Sequence, residues 1–233
     1  MRLLIHVEGQ TEETFVNEVL APHLLHFGYY SVAPRILGNA RIRGGIRSWP
    51  SVRKDIVNHL NEDKNCIATT MVDYYGLPQK EGGAWPGRAK AMTLRPPDRA
   101  LWVQAALFDD LKEDVIRPER FVPFVLMHEF EALLFSDCQR LSRSIGRTDL
   151  QAQFEAVRSQ FRTPEDINDS PETAPSKRIG TILPGYQKPL LGILAILEIG
   201  LLTIRTECPH FDRWLTKLES LPAVARGAPA AIE

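Results

Sequence analysis

The sequence predicts an α/β protein whose mostly parallel, Toprim-like sheet is flanked by helices and followed by a helical C-terminal part. Short apolar runs alternate with helical patterns over residues 1–130, which is typical of parallel sheets covered on both faces. Residues beyond 130 show only helical patterns. A chain of 233 residues with 44% apolar residues is large enough to bury such a sheet.

Four apolar runs have the length and composition of buried strands: residues 2–7, 30–37, 67–72 and 121–127. The first ends at Glu8, and the third is rich in β-branched residues and ends at Asp73. Pro123 predicts that the fourth lies near an edge of the sheet, because proline has no N–H to donate to a neighbouring strand.

Apolar residues at helical spacing predict seven further elements: a helix after Thr11 and helices near 50–62, 98–114, 129–135, 148–160, 188–205 and 209–221. Thr11 is the predicted N-cap of the first helix, with Glu12 and Glu13 in its first turn. Two proline-containing stretches, 76–97 and 163–187, are predicted as loops. We divide the chain into a metal-binding α/β core (1–135), a helical extension packed on it (136–221) and a frayed tail (222–233).

Composition excludes several classes of protein. The 28 basic and 29 acidic residues give a net charge of −1, so attraction of the whole surface to nucleic acid is excluded. Three widely spaced cysteines form neither a disulfide framework nor a zinc knuckle, and they fit a reducing cytoplasmic location. No apolar stretch has the ~20 residues needed to span a bilayer, so we expect no membrane. Motifs typical of P-loop, dinucleotide-binding, zincin and α/β-hydrolase enzymes are absent.

Carboxylates follow three of the predicted strands. Glu8, Asp73 and Glu129 come at or just after strand ends, which meet at one edge of a parallel sheet. Converging carboxylates need a cation between them, and oxygen ligands favour Mg²⁺ or Mn²⁺. Such an ion suits phosphodiester chemistry. The alternative is that the acids at Glu8, Glu12 and Glu13 only complement a helix dipole.

The run from His128 to Glu131 requires a choice between two acids. In a helix that begins there, Glu129 and Glu131 diverge by about 200°, so both are not expected to reach one ion. We place Glu129 ahead of Glu131 because it is nearer the strand end. His128 is either a general base or a hydrogen-bonded structural residue.

Basic residues concentrate in two segments despite the neutral total. The stretch between Glu18 and Asp55 contains no acid and includes Arg41, Arg43 and Arg47, a pattern that suits a phosphodiester backbone. The second candidate segment contains the cations Lys177, Arg178 and Lys188. The alternatives are a solvated connector whose arginines pair with acids elsewhere and an ordinary surface loop.

Residues Glu8–Glu12 resemble the E-G-x-T-E signature of Toprim domains, especially those of OLD-family nucleases, and Asp73 resembles the first acid of their D-x-D motif. The chain is more closely similar to a bacterial family of Toprim-like proteins often found beside AAA or SMC-type ATPases in phage-defence gene clusters. That similarity is carried by five runs: Val7–Glu13, Val72–Pro78, His128–Phe135, Thr173–Ile179 and Cys208–Trp214.

The resemblance implies that Glu8 is the catalytic glutamate and Asp73 a metal-binding aspartate. Tyr75 stands where the second acid of D-x-D is expected. We therefore expect a Mg²⁺- or Mn²⁺-dependent nuclease or nuclease-like subunit that acts on DNA or RNA with an ATPase. Glu129 or Glu131 completes the metal site, and Glu12 assists. The alternatives are a catalytically inactive adaptor or sensor, favoured by Tyr75, and a small-molecule phosphotransferase.

Overall fold

The computed structural model describes residues 1–37, 46–80, 82–95, 98–167, 170 and 172–225. Its strands form one parallel sheet: β1 (Arg2–Val7), β2 (Ser31–Ile36), β3 (Cys66–Asp73), β4 (Phe121–Val122) and β5 (Val125–Leu126). The order is β2-β1-β3-β4, and β5 also pairs with β3. Helices flank the sheet, which confirms the predicted α/β class.

The parallel register explains why the acids meet. Val7 pairs with Met71, and Asp73 pairs with Leu126. The three neighbouring strands β1, β3 and β5 therefore end at the same edge, and the residues that follow them leave the sheet side by side. All eight residues of β3 are buried, as expected of a central strand.

The fourth predicted strand is interrupted. Residues 121–127 form two short strands separated at Pro123, which cannot donate a ladder hydrogen bond. The Thr70 side chain bridges the interruption, because its Oγ1 accepts from the Phe124 N–H at 2.9 Å and donates to the Phe124 carbonyl at 2.8 Å. In the order β2-β1-β3-β4, β4 lies at an edge, as Pro123 predicts.

The first helix begins earlier than predicted. Helix α1 (Gln10–Phe15) continues through a π-helical turn (Val16–Leu20) into α2 (Ala21–Leu25). Its N-cap is Gly9 rather than Thr11, and the Gly9 N–H donates to Glu12 Oε2 at 3.0 Å. The carboxylate of Glu12, the third residue of the helix, thus makes the half of a capping box that returns to the N-cap N–H, while Gly9 has no side chain to make the other half.

The remaining helices are α3 (Trp49–Glu62), α4 (Arg88–Ala91), α5 (Asp98–Leu111), α6 (Cys138–Ser144), α7 (Gln151–Arg158), α8 (Pro175–Ile182), α9 (Lys188–Ile199), α10 (Leu201–Glu207) and α11 (Pro209–Ala225). Short 3₁₀ segments cover Lys112–Asp114, Pro118–Arg120, Phe130–Ser136, Thr148–Leu150 and Pro164–Asp166. The predicted helix 188–205 breaks at Gly200, whose φ of 81° ends α9. Helix α6 was not predicted, and α11 extends four residues into the predicted tail. Within the described residues no single helix is long and apolar enough to cross a membrane, although α9 and α10, bent by 86°, pass that test as a pair.

The two predicted loops contain helices and buried anchors. In the first, Trp85 is buried and its Nε1 donates to the Arg47 carbonyl at 3.1 Å. Arg88 is also buried and donates to the carbonyl and the hydroxyl of Tyr74. The second loop contains α8, whose Ile179 is buried. Proline and glycine content alone therefore overestimated how irregular these stretches are.

The C-terminal helices share a hydrophobic core with one face of the sheet. Trp214 of α11 stacks on Phe124 with ring centres 4.4 Å apart, and its Nε1 donates to Thr69 Oγ1 at 2.9 Å. Residues of β1 and of α11 belong to the same buried cluster. The boundary between residues 135 and 136 stays a prediction.

Candidate carboxylate site

Five carboxylates lie at the edge where the strands end. Asp73 is the last residue of β3, and Glu8 follows β1 directly. Glu12 is in the first turn of α1, and Glu129 and Glu131 follow β5. Their charges act on one another, since Glu12 and Glu129 raise the pKa of Glu8, and Glu8, Glu12 and Glu131 raise that of Asp73. The structure therefore brings together all five acids that the sequence singled out.

Asp73 is held rigidly at the centre of this group. Its side chain is buried, and Oδ1 accepts a hydrogen bond from the Phe130 N–H at 2.9 Å. Burial raises the pKa of Asp73 well above its usual value, opposed by the ammonium of Lys188 and reinforced by the neighbouring acids. An aspartate in this position needs a cation or a proton to remain stable.

Glu8 lies against the turn that follows β3. A Cβ atom on Gly76 would be 3.0 Å from Glu8 Oε2 and 3.2 Å from Oε1, so a side chain at residue 76 would require the carboxylate to shift by a few tenths of an ångström. Burial raises the pKa of Glu8, the acid at Glu12 raises it further, and a hydrogen bond from the Asp73 backbone opposes both. Glu8 Oε2 is buried and accepts no hydrogen bond from the described residues.

Glu131 lies inside the cluster. In the helix that we expected to begin at this point, its side chain would have pointed away from the side chain of Glu129. The backbone of Glu129 is extended, and the residues after it form a 3₁₀ segment instead of an α-helix. Glu131 is consequently fully buried, and burial raises its pKa to about 7. Ranking Glu129 ahead of Glu131 rested on the wrong local conformation.

Glu129 instead contacts a helix terminus. Its Oε2 accepts a hydrogen bond from the Ser176 N–H at 2.8 Å, in the first turn of α8. It therefore serves as a distant cap for a helix whose own N-cap, Ala174, has no side-chain oxygen. The preceding residue, His128, is buried with a φ of 68°, which is unusual for a residue other than glycine, and it redirects the chain after β5.

Lys188 inserts its ammonium group between the carboxylates. Nζ lies 3.0 Å from Glu131 Oε2 and 3.8 Å from Asp73 Oδ2. Burial lowers the pKa of Lys188, but the charges of Asp73, Glu131 and Glu12 outweigh burial and raise it above the usual lysine value. The sequence placed Lys188 on the substrate backbone, whereas in the structure it is the cation of the acidic cluster.

Tyr186 borders the cluster and was not singled out from the sequence. Its hydroxyl is buried and has no hydrogen-bond partner among the described residues. Burial raises the pKa of Tyr186, and the charge of Glu131 raises it further. Gly192 of α9 makes room for this hydroxyl, because a Cβ atom there would be 3.0 Å from it. The only sequence signal was its place two residues before Lys188.

The donor chemistry of the cluster fits a hard divalent cation. All candidate donors are oxygens, and three buried ones, Glu8 Oε2, Glu131 Oε1 and Tyr186 Oη, lack hydrogen-bond partners among the described residues. In the same part of the chain, however, no group of three or more Asp, Glu, His or Cys residues is already arranged around a metal position. Two of the carboxylates, Asp73 and Glu131, face the ammonium of Lys188.

The other predicted cations have different surroundings. Arg47 contacts Asp55 at 2.5 Å and also donates to the Leu37 carbonyl, so its role is to attach α3 to the chain before it. Arg178 donates to the Thr173 carbonyl, whereas Lys177 is exposed on α8. Arg41 and Arg43 lie outside the described residues. For Arg47 the structure fits the alternative reading of an arginine paired with an acid elsewhere.

A groove of about 350 Å³ lies between α5 and α11 and shares no residue with the carboxylate cluster. Two of its side chains complete hydrogen bonds of β5. Gln104 Oε1 accepts from the Val125 N–H at 3.2 Å, and His210 Nε2 lies 3.0 Å from the Val125 carbonyl oxygen. Gln104 and His210 therefore line the groove while satisfying the backbone N–H and carbonyl of Val125.

The fold and site define a parallel α/β protein with a buried carboxylate cluster at the ends of its strands. The family model described as "Domain of unknown function (DUF4276)" matches residues 7–219, and the chain belongs to this family. No curated protein matches the chain.

Two solved structures of the C-terminal region of the OLD protein of Xanthomonas campestris pv. campestris are similar to it. The mercury-phased structure has 16% identity and a TM-score of 0.42 over 96% of this chain and 97% of that one. The platinum-phased structure has 15% identity and a TM-score of 0.40 over 97% and 96%, respectively. Similarity of this size leaves the activity of the chain open.

Proposed function

We propose that the chain is a Mg²⁺- or Mn²⁺-dependent nuclease or nuclease-like subunit that hydrolyses phosphodiester bonds of DNA or RNA. The observation that carries this proposal is the group of five carboxylates at the strand ends, with buried oxygens of Glu8 and Glu131 that find no hydrogen-bond donor in the part of the chain that the structure describes. Acids buried together at this density are unfavourable unless a cation or protons lie among them. The resemblance of Glu8–Glu12 and Asp73 to Toprim motifs supports the same proposal.

Each acid has a distinct part in the proposed site. Glu8 and Asp73 hold the ion, and Glu131, facing Asp73 across Lys188, completes the set. Glu129 contributes from its position beside α8, and Glu12 fixes the Gly9 turn from which Glu8 projects. A bound ion would supply a nucleophilic hydroxide from water and would stabilise the leaving oxygen.

A catalytically inactive adaptor or sensor is the second candidate. Two observations favour it: Tyr75 takes the place of an acid, and the ammonium of Lys188 already pairs with Glu131 and Asp73. In this case the carboxylates and Lys188 would be a structural network, and the protein would bind nucleic acid or an ATPase without cleaving anything.

The proposed partners follow from the same resemblance. We infer an AAA or SMC-type ATPase as partner and a role in anti-phage defence in the cytoplasm. The free thiols of Cys66, Cys138 and Cys208 are compatible with a reducing compartment. Exposed Lys177, beside the cluster on α8, supports a nucleic-acid backbone as substrate.

A cleavage assay tests the proposal. The substrates are plasmid DNA and single-stranded RNA, and each is incubated with Mg²⁺ or Mn²⁺, with and without an SMC-type ATPase and ATP. We expect metal-dependent cleavage that falls at least about tenfold in Glu8→Gln and Asp73→Asn. Glu18→Gln, an exposed acid on the π-helical turn, is the matched control and should keep full activity. Cleavage that survives both site substitutions would exclude this cluster as the active site. Metal binding without cleavage of any substrate would favour the adaptor.

A further inference from the structure

Lys188 combines a buried charge with an exposed stem. Its two partner carboxylates are almost inaccessible, with 0% of the Glu131 side chain and 7% of the Asp73 side chain exposed. The lysine side chain itself keeps 42% of its surface exposed. Because the four-carbon stem is flexible and partly exposed, rotation about its bonds can move the ammonium from the cluster into solvent.

The ammonium satisfies the cluster only in part. It faces Glu131 Oε2 and Asp73 Oδ2, whereas Glu8 Oε2 and Glu131 Oε1 stay without hydrogen-bond donors within the described residues. One positive charge is also too little for five carboxylates. A divalent cation carries twice the charge and binds more oxygens than an ammonium can reach.

The backbone that carries Lys188 is fixed. The residue is the first of α9, and Pro189, the second, restricts the backbone there. Close packing of Tyr186 against Gly192 further holds the start of the helix. Movement of the ammonium therefore requires rotation of the side chain and no shift of α9.

We propose that Lys188 is a displaceable internal cation, which holds the carboxylates together in the metal-free protein and is expelled towards solvent when a divalent ion binds. This inference rests on the metal site of the proposed function. It implies that ion pairing with Lys188 and metal binding compete for the same oxygens of Asp73 and Glu131. The affinity for metal then depends on the difference between the free energy of metal binding and the free energy of the ion pairs with Lys188.

Titration calorimetry with Mn²⁺ tests the competition. Lys188→Met removes the charge and keeps an unbranched apolar stem, so we expect Mn²⁺ to bind about tenfold more tightly than to the unsubstituted protein. Lys217→Met, an exposed lysine on α11, is the control and should not change the affinity by more than about twofold. Equal or weaker binding by Lys188→Met would overturn the inference.

Acetylation of the unsubstituted protein gives a second test that needs no variant of Lys188. Acetic anhydride labelling followed by mass spectrometry should modify Lys188 several times faster with Mn²⁺ than without it, while exposed Lys217 should react at the same rate. Unchanged or slower labelling of Lys188 in a protein that binds Mn²⁺ would overturn the inference alone. If neither the unsubstituted protein nor Lys188→Met binds Mn²⁺, the metal site of the proposed function fails as well.

Discussion

Gly76 packs so closely on the carboxylate of Glu8 that a Cβ atom at residue 76 would lie 3.0 Å from Glu8 Oε2. A side chain at residue 76 would therefore force the Glu8 carboxylate to shift from its present position. This contact joins the residue after β1 to the turn after β3, so the site depends on two strands that are adjacent only in the folded sheet.

Substitution of Gly76 should damage the site more than the fold. In Gly76→Ala the new methyl group displaces the Glu8 carboxylate by a few tenths of an ångström, so we expect weaker Mn²⁺ binding in calorimetry with a small change in melting temperature. Gly180→Ala is the matched control, since no atom lies within 4 Å of the added methyl. That control should bind Mn²⁺ normally and gain up to about 1 kcal/mol of stability from better helix propensity. Equal Mn²⁺ affinity in Gly76→Ala would contradict the importance of the contact.

Glu131 and Glu165 should each contribute stability that is lost as the pH rises from about 4.5 to about 7, while buried His6 and His210, whose pKa burial lowers to about 4, act in the opposite direction up to about 6.5. Burial raises the pKa of Glu131 and Glu165 from 4.5 to about 7. Over that interval the folded protein holds protons that the unfolded chain has released, so the free energy of unfolding falls by up to about 1.4 kcal/mol per pH unit for each group.

Glu131→Gln separates this contribution, because glutamine does not titrate. Urea denaturation in EDTA at several pH values between about 5 and 7 should show that the slope of unfolding free energy against pH shifts in the positive direction in Glu131→Gln relative to the unsubstituted protein. The exposed-acid control Glu18→Gln should keep the original slope. Identical slopes for all three proteins would show that Glu131 does not bind its proton this tightly.

Glu129 should matter for stability through α8. Glu129→Ala removes the acceptor for the Ser176 N–H, so the free energy of unfolding should fall by about 1 kcal/mol. Glu129→Gln keeps an acceptor oxygen and should recover most of that loss while lowering Mn²⁺ affinity, because it removes the charge. If Glu129→Gln kept both the stability and the Mn²⁺ affinity of the unsubstituted protein, Glu129 would serve only to cap α8.

Lys177 and Arg47 should differ in nucleic-acid binding. If exposed Lys177 contacts a phosphate, Lys177→Ala should reduce the slope of log affinity against log salt concentration by about 0.9. Arg47 is paired with Asp55, and we expect Arg47→Ala to lose up to about 1 kcal/mol of stability without changing that slope. Fluorescence anisotropy with labelled DNA and RNA at several salt concentrations measures this slope for both variants. If the slope changed in Arg47→Ala and not in Lys177→Ala, Arg47 and not Lys177 would be the residue that contacts phosphate.

The sequence predicted what depends on local pattern and on the geometry of parallel sheets. The ends of β1 and β3 could be read from apolar runs that stop at Glu8 and Asp73, and parallel pairing then places these acids together. The position of Glu131 could not be read, because a 3₁₀ segment after an extended residue has no distinct sequence period.

The role of Lys188 could not be predicted from the sequence either. Its partners lie 57 and 115 residues away in the chain, and a basic residue after a loop is consistent with an exposed or a buried charge. Only the packing of α9 places its ammonium among the acids. The break at Gly200 was missed for a related reason, since the apolar pattern continues on both sides of it.

The most direct test of the carboxylate cluster as a metal site is a crystal structure of the protein soaked in Mn²⁺, with anomalous data collected at the manganese edge. We predict an anomalous peak between the carboxylates of Glu8 and Asp73, with the Lys188 ammonium moved away from Glu131. The same soak of Asp73→Asn should give no peak there. Lys188 still in place, with no manganese among these acids in the unsubstituted protein, would contradict the proposal.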